Sequence, residues 1–395
     1  MRHPLWICVM VIAACDSSEP PAVTVQDSAG VRIVESHRPA WDGRQPWRIL
    51  EDPVLSLGAV EGDPAQSFDR LSGVYLLGED RIAVLDNGAS QVRFFDPAGA
   101  WLFTFGRPGE GPGEFQELTF LGLQADSLWL LDGRQLRMTV LDPETGAFRV
   151  ARMQVDNAAL GPVGLLPDGS AVLAADLAFS AAIMEDPSPG LQRFSAAYVR
   201  LDRSGTLEDT VLVAPGSERI LTYGAETVEM LRPLIARSVS HAVLGDEIIQ
   251  GSQADYEIRA YSGDGTLRSV TRRSGFEPGI DERAYDAAVE QRVLMAPEPA
   301  RPGLRALYRG QPRPPAAPAY TSFLVDTEGC LWVRDFSYDG GASSWSVFDA
   351  EGVWLGTMTF PDRFRPTQIV EDRVVGIWLD DLDVEHARIL ALERG

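Results

Sequence analysis

Lysine is absent from this 395-residue chain, and all 35 cationic side chains are arginine. Schiff-base chemistry and the phosphate-loop lysine are therefore excluded. Histidine is scarce: beyond His3 there are only His37, His241 and His386, far apart and without a paired motif, which argues against zinc. No G-x-S-x-G elbow is present to support a serine hydrolase. "DDLD" at Asp380–Asp383 lacks the spacing and terminal glutamate of an EF-hand. Acidic residues outnumber basic ones 57 to 35, a formal charge of −22, so nucleic acid would be repelled and is excluded as a partner. Of three cysteines, Cys8 and Cys15 lie in an N-terminal leader, leaving Cys330 with no intramolecular partner. Its "GCLWV" setting reads as a buried strand.

That leader, "MRHPLWICVMVIAAC", places Arg2 before an apolar run from Leu5 to Ala14 that is too short to span a bilayer. Ile12 to Cys15 resembles the bacterial lipobox, which implies a signal peptide over 1–14, lipidation of Cys15 and a flexible polar tether over 15–22. An ordinary secretory signal with a chance cysteine is the alternative. The lipobox reading places the protein in the bacterial cell envelope, attached to the membrane through lipid alone and facing the periplasm or the outside.

What the remaining chain has in abundance is short strands and turns. An apolar strand, a polar turn, a second apolar strand and a terminal Asp recur over Arg70–Asp86, Glu117–Asp132, Gly161–Asp176, Ala236–Ser252 (Ser for Asp), Ala319–Asp335 and Phe364–Asp380. Most copies are followed by a third strand, a turn such as "DPAG" at Asp96 or "DAEG" at Asp349, and a fourth strand. Four antiparallel strands repeating at about 45 residues mark a propeller blade, and six copies predict an all-β, six-bladed β-propeller over 23–395 as a single, monomeric domain. After Asp380 too little chain remains for a fourth strand, so a run between Val23 and Leu57 is expected to pair with the last blade and close the ring; an independent N-terminal hairpin is the alternative.

The stretch from Ile82 to Phe115 is similar to NHL repeats, in which an apolar strand ends in Asp, the next in Asp-Pro-x-Gly, and a Phe-Gly close follows. "GRPGEGPGEF" (Gly106–Phe115) looks like the linker between such repeats and has no Lys-Ser/Thr pair to make it a phosphate loop. The likeness is looser over Ser127–Phe148 and faint beyond. The whole chain resembles six-bladed propeller lipoproteins of bacterial envelopes, a family without a settled molecular function, so the resemblance implies a fold and leaves the function open.

In a four-stranded blade, the loops between second and third strands share one face with the connections between blades. Asp86, Asp132, Asp176, Asp335 and Asp380 begin such loops. They read either as a ring of oxygen ligands, calcium being the candidate cation, or as caps on their own turns. Three insertions are expected on the same face, over 177–194, 217–238 and 276–320. The last contains one helix, near 281–296, with Asp281 as N-cap and Pro297 as stop. It is followed by a cationic, Pro-rich loop carrying Arg301, Arg305, Arg309 and Arg313. That loop reads as a lid over the Asp ring, a grip for an anion, or a solvated loop. Tyr285, Tyr308, Tyr338 and Trp345 are candidates to stack on a sugar or peptide.

Two functions of different classes fit. One is a non-catalytic, membrane-tethered scaffold without a cofactor, binding a peptide, glycan or protein. The other is a metal-dependent hydrolase or lyase, similar to propeller lactonases or NHL-type lyases, with a divalent cation at the channel mouth.

Overall fold

The structure is a computed structural model describing residues 21–43, 46–59, 63–125, 127–155, 160–179, 189–223, 228–277, 279–338 and 343–395. The expected signal peptide and lipidation site, Cys15, lie outside the described residues, as do parts of the expected tether and of the 177–194 and 217–238 insertions. No described helix is long and apolar enough to cross a membrane.

The described strands form six sheets. In chain order, sheet I comprises Leu71–Leu77, Arg81–Asp86, Gln91–Phe95 and Trp101–Phe105, and sheet II comprises Leu118–Gln124, Ser127–Asp132, Arg137–Leu141 and Phe148–Arg152. Sheet III holds Leu160–Leu165, Ala171–Asp176, Gly190–Leu201 and Leu207–Tyr223, with Val228–Leu231 as a fifth strand. Sheet IV holds Ser240–Leu244, Glu247–Gly251, Glu257–Ser262 and Leu267–Arg273. Sheet V is Tyr320–Val325, Leu331–Asp335, Ser344–Phe348 and Trp354–Thr359. Sheet VI takes Phe364–Val370, Arg373–Leu379 and Glu385–Glu393 from the C-terminus. Its fourth strand is Arg48–Leu57, antiparallel to Glu385–Glu393 with Leu57 opposite Ala387 and Arg48 opposite Glu393. The N-terminal run expected on the last sheet is therefore this one. Pro53 is accommodated because the strand lies at the sheet edge beside register shifts.

The hairpin alternative also has a counterpart. Val23–Ser28 and Val31–Ser36 form an antiparallel hairpin, and its second strand adds in parallel to Leu267–Arg273, extending sheet IV to six strands. The described sheets thus depart from four strands at III and IV.

Second strands are continuous apolar runs because both of their faces are covered. Ile82, Ala83, Val84 and Leu85 are each no more than 1% exposed. Even and odd positions of such a strand pack into different cores. Ile82 and Val84 join Val375 and Ile377 of sheet VI around Leu57, whereas Ala83 and Leu85 join Leu128 and Leu130 of sheet II. The same division gives cores between II and III, III and IV, IV and V, and V and VI. Cys330 sits in the last of these, where burial pushes its thiol up to about 12. This is a packed, unreactive thiol.

Two insertions differ from the expected loops. Gly190–Leu201 and Leu207–Tyr223 continue as one long hairpin past the body of sheet III, so the start of the 217–238 insertion is strand. The single helix expected near 281–296 is present as Glu282–Leu294, with Asp281 accepting from the N–H groups of Arg283 and Ala284. A second helix follows at Arg301–Gly310, where a Pro-rich loop was expected.

Leu57 is 3% exposed and ties the N-terminal strand into the core shared by sheets VI and I. Leu57→Ala is expected to cost about 2–5 kcal/mol, measured by urea unfolding. A loss below about 1 kcal/mol would show that this strand adds little to the core.

Candidate functional site

Second-to-third-strand loops and inter-sheet connections meet at one end of the sheets. Asp86 closes the second strand of sheet I, and its carboxylate accepts from Ala89 N at 3.1 Å, from Asp69 N at 3.3 Å and from Arg93 Nη2 at 2.9 Å. It thereby pins the connection that feeds the first strand to the turn that follows the second. Gly88 completes this corner: its N–H donates to Asp69 O at 2.7 Å, and a Cβ there would stand 2.2 Å from that oxygen. Asp132 repeats the arrangement in sheet II, accepting from Gln116 N (2.8 Å), Gln135 N (3.0 Å) and Gln135 Nε2 (2.8 Å).

The other three aspartates are equally occupied. Asp176 accepts from Ala178 N (3.0 Å), Ser217 Oγ (2.7 Å) and Arg219 Nη2 (3.0 Å). Asp335 reaches back to sheet IV, accepting from Tyr256 Oη at 2.6 Å and Arg273 Nη1 at 3.2 Å, and from Ser344 and Ser346 of its own sheet. Asp380 caps its turn through Leu382 N (2.8 Å) and Val384 N (2.9 Å), with His386 Nε2 at 3.3 Å. Among the described residues no group of three His, Cys, Asp or Glu side chains could hold a metal ion.

The cationic segment is folded on itself. Arg305 grips Glu290 at 2.9 and 2.7 Å, Arg313 pairs with Glu282 and Asp286, and Arg301 donates to the carbonyls of Leu294 and Ala296 at 3.0 Å, ending the first helix. Arg309 is exposed in the last turn of the second helix. Tyr285 is buried against Ile235, Val289 and Val293, with Tyr308 and Tyr338 packed on the same cluster. This cluster joins the III–IV connection, the helical insertion and the 336–338 loop of sheet V. Trp345 is 3% exposed, lies 5.5 Å from Phe360, and donates from Nε1 to Ser343 Oγ at 3.0 Å. Tyr285 and Tyr308 therefore serve as packing, whereas Tyr338 and Trp345 are packed and each also borders a cavity.

Two cavities were not foreseen. A central one of 460 Å³ is lined by the first strands of all six sheets, through Tyr75, Phe120, Val163, His241, Phe323 and Gln368 among others. His241 donates from Nε2 to the Pro162 carbonyl at 3.1 Å, and burial pushes its pKa down to about 4 while that carbonyl opposes the shift. The second, of 410 Å³, lies at the seam of sheets V and VI beside Arg334, Arg363, Arg365 and Trp345, and shares Phe323 and Leu324 with the central cavity. A signal for it exists in the sequence. The residues before the repeat-end positions are Leu85, Leu131, Ala175, Gly251, Arg334 and Leu379, of which only Arg334 is charged.

No protein-family model matches the chain, and no curated protein matches it. Among solved structures it is similar to a candidate exported protein from Bacteroides fragilis NCTC 9343, with 12% identity and a TM-score of 0.51 over 92% of this chain and 99% of that one. A DUF4221-family member from Bacteroides vulgatus ATCC 8482 matches at 8% identity and a TM-score of 0.48 over 88% and 99% of the two chains. A virginiamycin B lyase from Staphylococcus aureus matches at 8% and 0.41 over 84% and 82%. At such identities the likeness concerns fold alone. The successive antiparallel sheets and this likeness define an all-β, propeller-like protein.

Two of the aspartates titrate in opposite directions. Burial raises the Asp86 carboxyl despite the Ala89 N–H and Arg93, whereas the Val384 N–H leads the donors that lower Asp380. A raised carboxyl contributes most below its unfolded pKa and loses that contribution as pH rises; a lowered one contributes above its unfolded pKa and loses it as pH falls. Urea unfolding should therefore show the penalty of Asp380→Asn growing from pH ~3 to ~7 and that of Asp86→Asn shrinking over the same range. Parallel pH profiles would contradict these assignments.

Proposed function

We propose that the chain is a closed, six-bladed propeller forming one monomeric domain, tethered to the bacterial envelope through Cys15, and that it binds a peptide, glycan or protein at its loop-bearing face without catalysing a reaction. Support for the ring comes from the cores, which link each sheet to the next and include one between VI and I. The central cavity, with a contribution from every first strand, points the same way. Support for the tether is the Ile12–Cys15 sequence alone.

The observation that carries the binding reading is the saturation of the five repeat-end carboxylates. Each accepts at least three hydrogen bonds from its own loop or a neighbouring strand. Calcium takes six to eight oxygen ligands at 2.3–2.6 Å, and these oxygens would have to abandon structural donors to supply them. The metal-dependent hydrolase or lyase reading requires that rearrangement. Open cavities on the same molecule, by contrast, need no rearrangement to take a ligand.

Calorimetry with calcium, magnesium and manganese tests this directly. The melting temperature in millimolar calcium is expected to equal that in EDTA, because a site filled at a hundredfold excess over its Kd would add about 2.7 kcal/mol of stability. Stoichiometric, tight metal would overturn the scaffold in favour of the enzyme. For the tether, Cys15→Ser is expected to move the protein from the membrane fraction to the soluble fraction, read by detergent partitioning; unchanged partitioning would remove the lipid anchor from the proposal.

A further inference from the structure

Sheets V and VI meet at a cleft whose charge is opposite to that of the protein. The chain carries −22 overall, yet the described side chains lining this 410 Å³ space include three arginines and no acid. Arg334 comes from the end of the second strand of sheet V, while Arg363 and Arg365 come from the entry into sheet VI. Their bonding differs. Arg363 pairs with Asp383, an exposed carboxylate. Arg365 donates to the carbonyl oxygens of Leu71 (2.9 Å) and Ser72 (3.3 Å), which leave its charge uncompensated. Arg334 has no hydrogen-bond acceptor and no carboxylate partner among the described residues.

A half-buried guanidinium without a partner is costly, and a second cation beside it adds repulsion. Burial, followed by the charge of Arg365, lowers the pKa of Arg334 below its ordinary value. Elsewhere on this face the protein pairs its arginines: Arg93 with Asp86, Arg219 with Asp176, Arg237 with Glu218, and Arg273 with Asp335. Arg334 departs from that practice, as does Arg193, which donates only to the carbonyl oxygens of Gly216 and Ser252. Its five N–H donors form a planar fork that matches the paired oxygens of a carboxylate or phosphate. Trp345, Phe364 and Pro366 supply apolar walls beside it, and the volume falls at the small end of ligand pockets.

We propose that the V–VI cleft is a binding site for a small organic anion, whose carboxylate or phosphate is held by Arg334 with Arg365 beside it and whose body lies against Trp345 and Phe364. The proposal rests on the loop-bearing face being a binding face and names the chemistry it recognises there. No reaction is implied.

Titration calorimetry of the full chain with succinate, inorganic phosphate and neutral succinamide tests the site. Succinate or phosphate should bind with one-to-one stoichiometry, and succinamide should bind at least about tenfold more weakly, equivalent to ~1.4 kcal/mol. Tighter binding of succinate points to a carboxylate ligand, tighter binding of phosphate to a phosphorylated one. Arg334→Gln should weaken the preferred anion about tenfold, while Arg268→Gln, exposed on the fourth strand of sheet IV, should leave it unchanged. Absence of anion binding up to about 10 mM, or undiminished binding by Arg334→Gln, would overturn the proposal.

Two further measurements avoid dependence on how Arg334→Gln folds. Arg363 adopts φ 58, a left-handed conformation that glycine takes without strain, so Arg363→Gly should fold at least as well as the parent and still bind the anion more weakly. In the unmodified protein, the bound anion should slow phenylglyoxal modification of Arg334 relative to the exposed Arg268, read by peptide mass spectrometry; equal rates with and without anion would count against the site. Metal-binding calorimetry judges the scaffold reading, whereas these results judge Arg334, so the two fail separately.

Discussion

The pairing of Arg48–Leu57 with Glu385–Glu393 is the contact on which the rest of the architecture depends. It joins the two ends of the chain, separated by more than three hundred residues, and gives the last sheet its outer strand. Without it, Glu385–Glu393 would expose a row of unpaired backbone groups, and the core between VI and I would lose Leu57 and the packing of Leu55. The terminus is further secured by Arg394, which pairs with Asp326 at 2.9 Å and Glu328 at 2.7 Å and lies over the ring of Trp47 at 4.5 Å. Closing so long a loop carries an entropic cost that grows only slowly with length, so a single well-packed strand can offset it.

Arginine as the sole cation shapes the loop-bearing end. The forked guanidinium can satisfy a carboxylate and backbone carbonyls at once. Arg93 does so, bonding Asp86 while reaching the carbonyls of Pro64 and Ala65 at 2.9 Å. Arg273 combines Asp335 with a position 4.7 Å over the Tyr256 ring and 4.2 Å over Trp354. A buried pair of this kind is weak evidence for net stability, but breaking one partner leaves an uncompensated charge. The aspartates therefore act as fasteners between loops and sheets, and their recurrence reflects a recurring turn.

Much of the fold was legible because the repeat unit writes its own boundaries. Inner strands lose the period-two alternation when both faces are covered, yet the terminal Asp and the Asp-x-x-Gly turns still mark where they stop. The second helix escaped notice because Pro302, Gly303 and Gly310 look like breakers. Pro302 instead occupies the first turn, where its missing N–H has no intrahelical partner to lose, and Gly310 ends the helix. Parallel addition of Val31–Ser36 to sheet IV was not legible, since the choice of sheet edge depends on tertiary packing that local pattern does not encode. For the candidate site, the repetition of the aspartates was legible but did not choose between ligand ring and turn cap, since repetition is also what a shared structural role produces.

Ligand recognition in a repeat protein is better sought where one copy breaks the rule that the others keep. At the position before the repeat-end residue, five copies place Leu, Ala or Gly, side chains that the sandwich between sheets can bury or that occupy no space there. Sheet V places Arg334. A guanidinium in that position lines a gap at the seam, which the adjoining sheet meets, among the described residues, with Arg365 rather than with an acid. Had the substitution served stability, an Asp or Glu facing it would have been the simple complement, as at Arg273 and Asp335 one residue away. Among the described residues the seam instead keeps its positive charge open to the cavity in a protein that is otherwise strongly acidic, and the proposed anion would supply the complement.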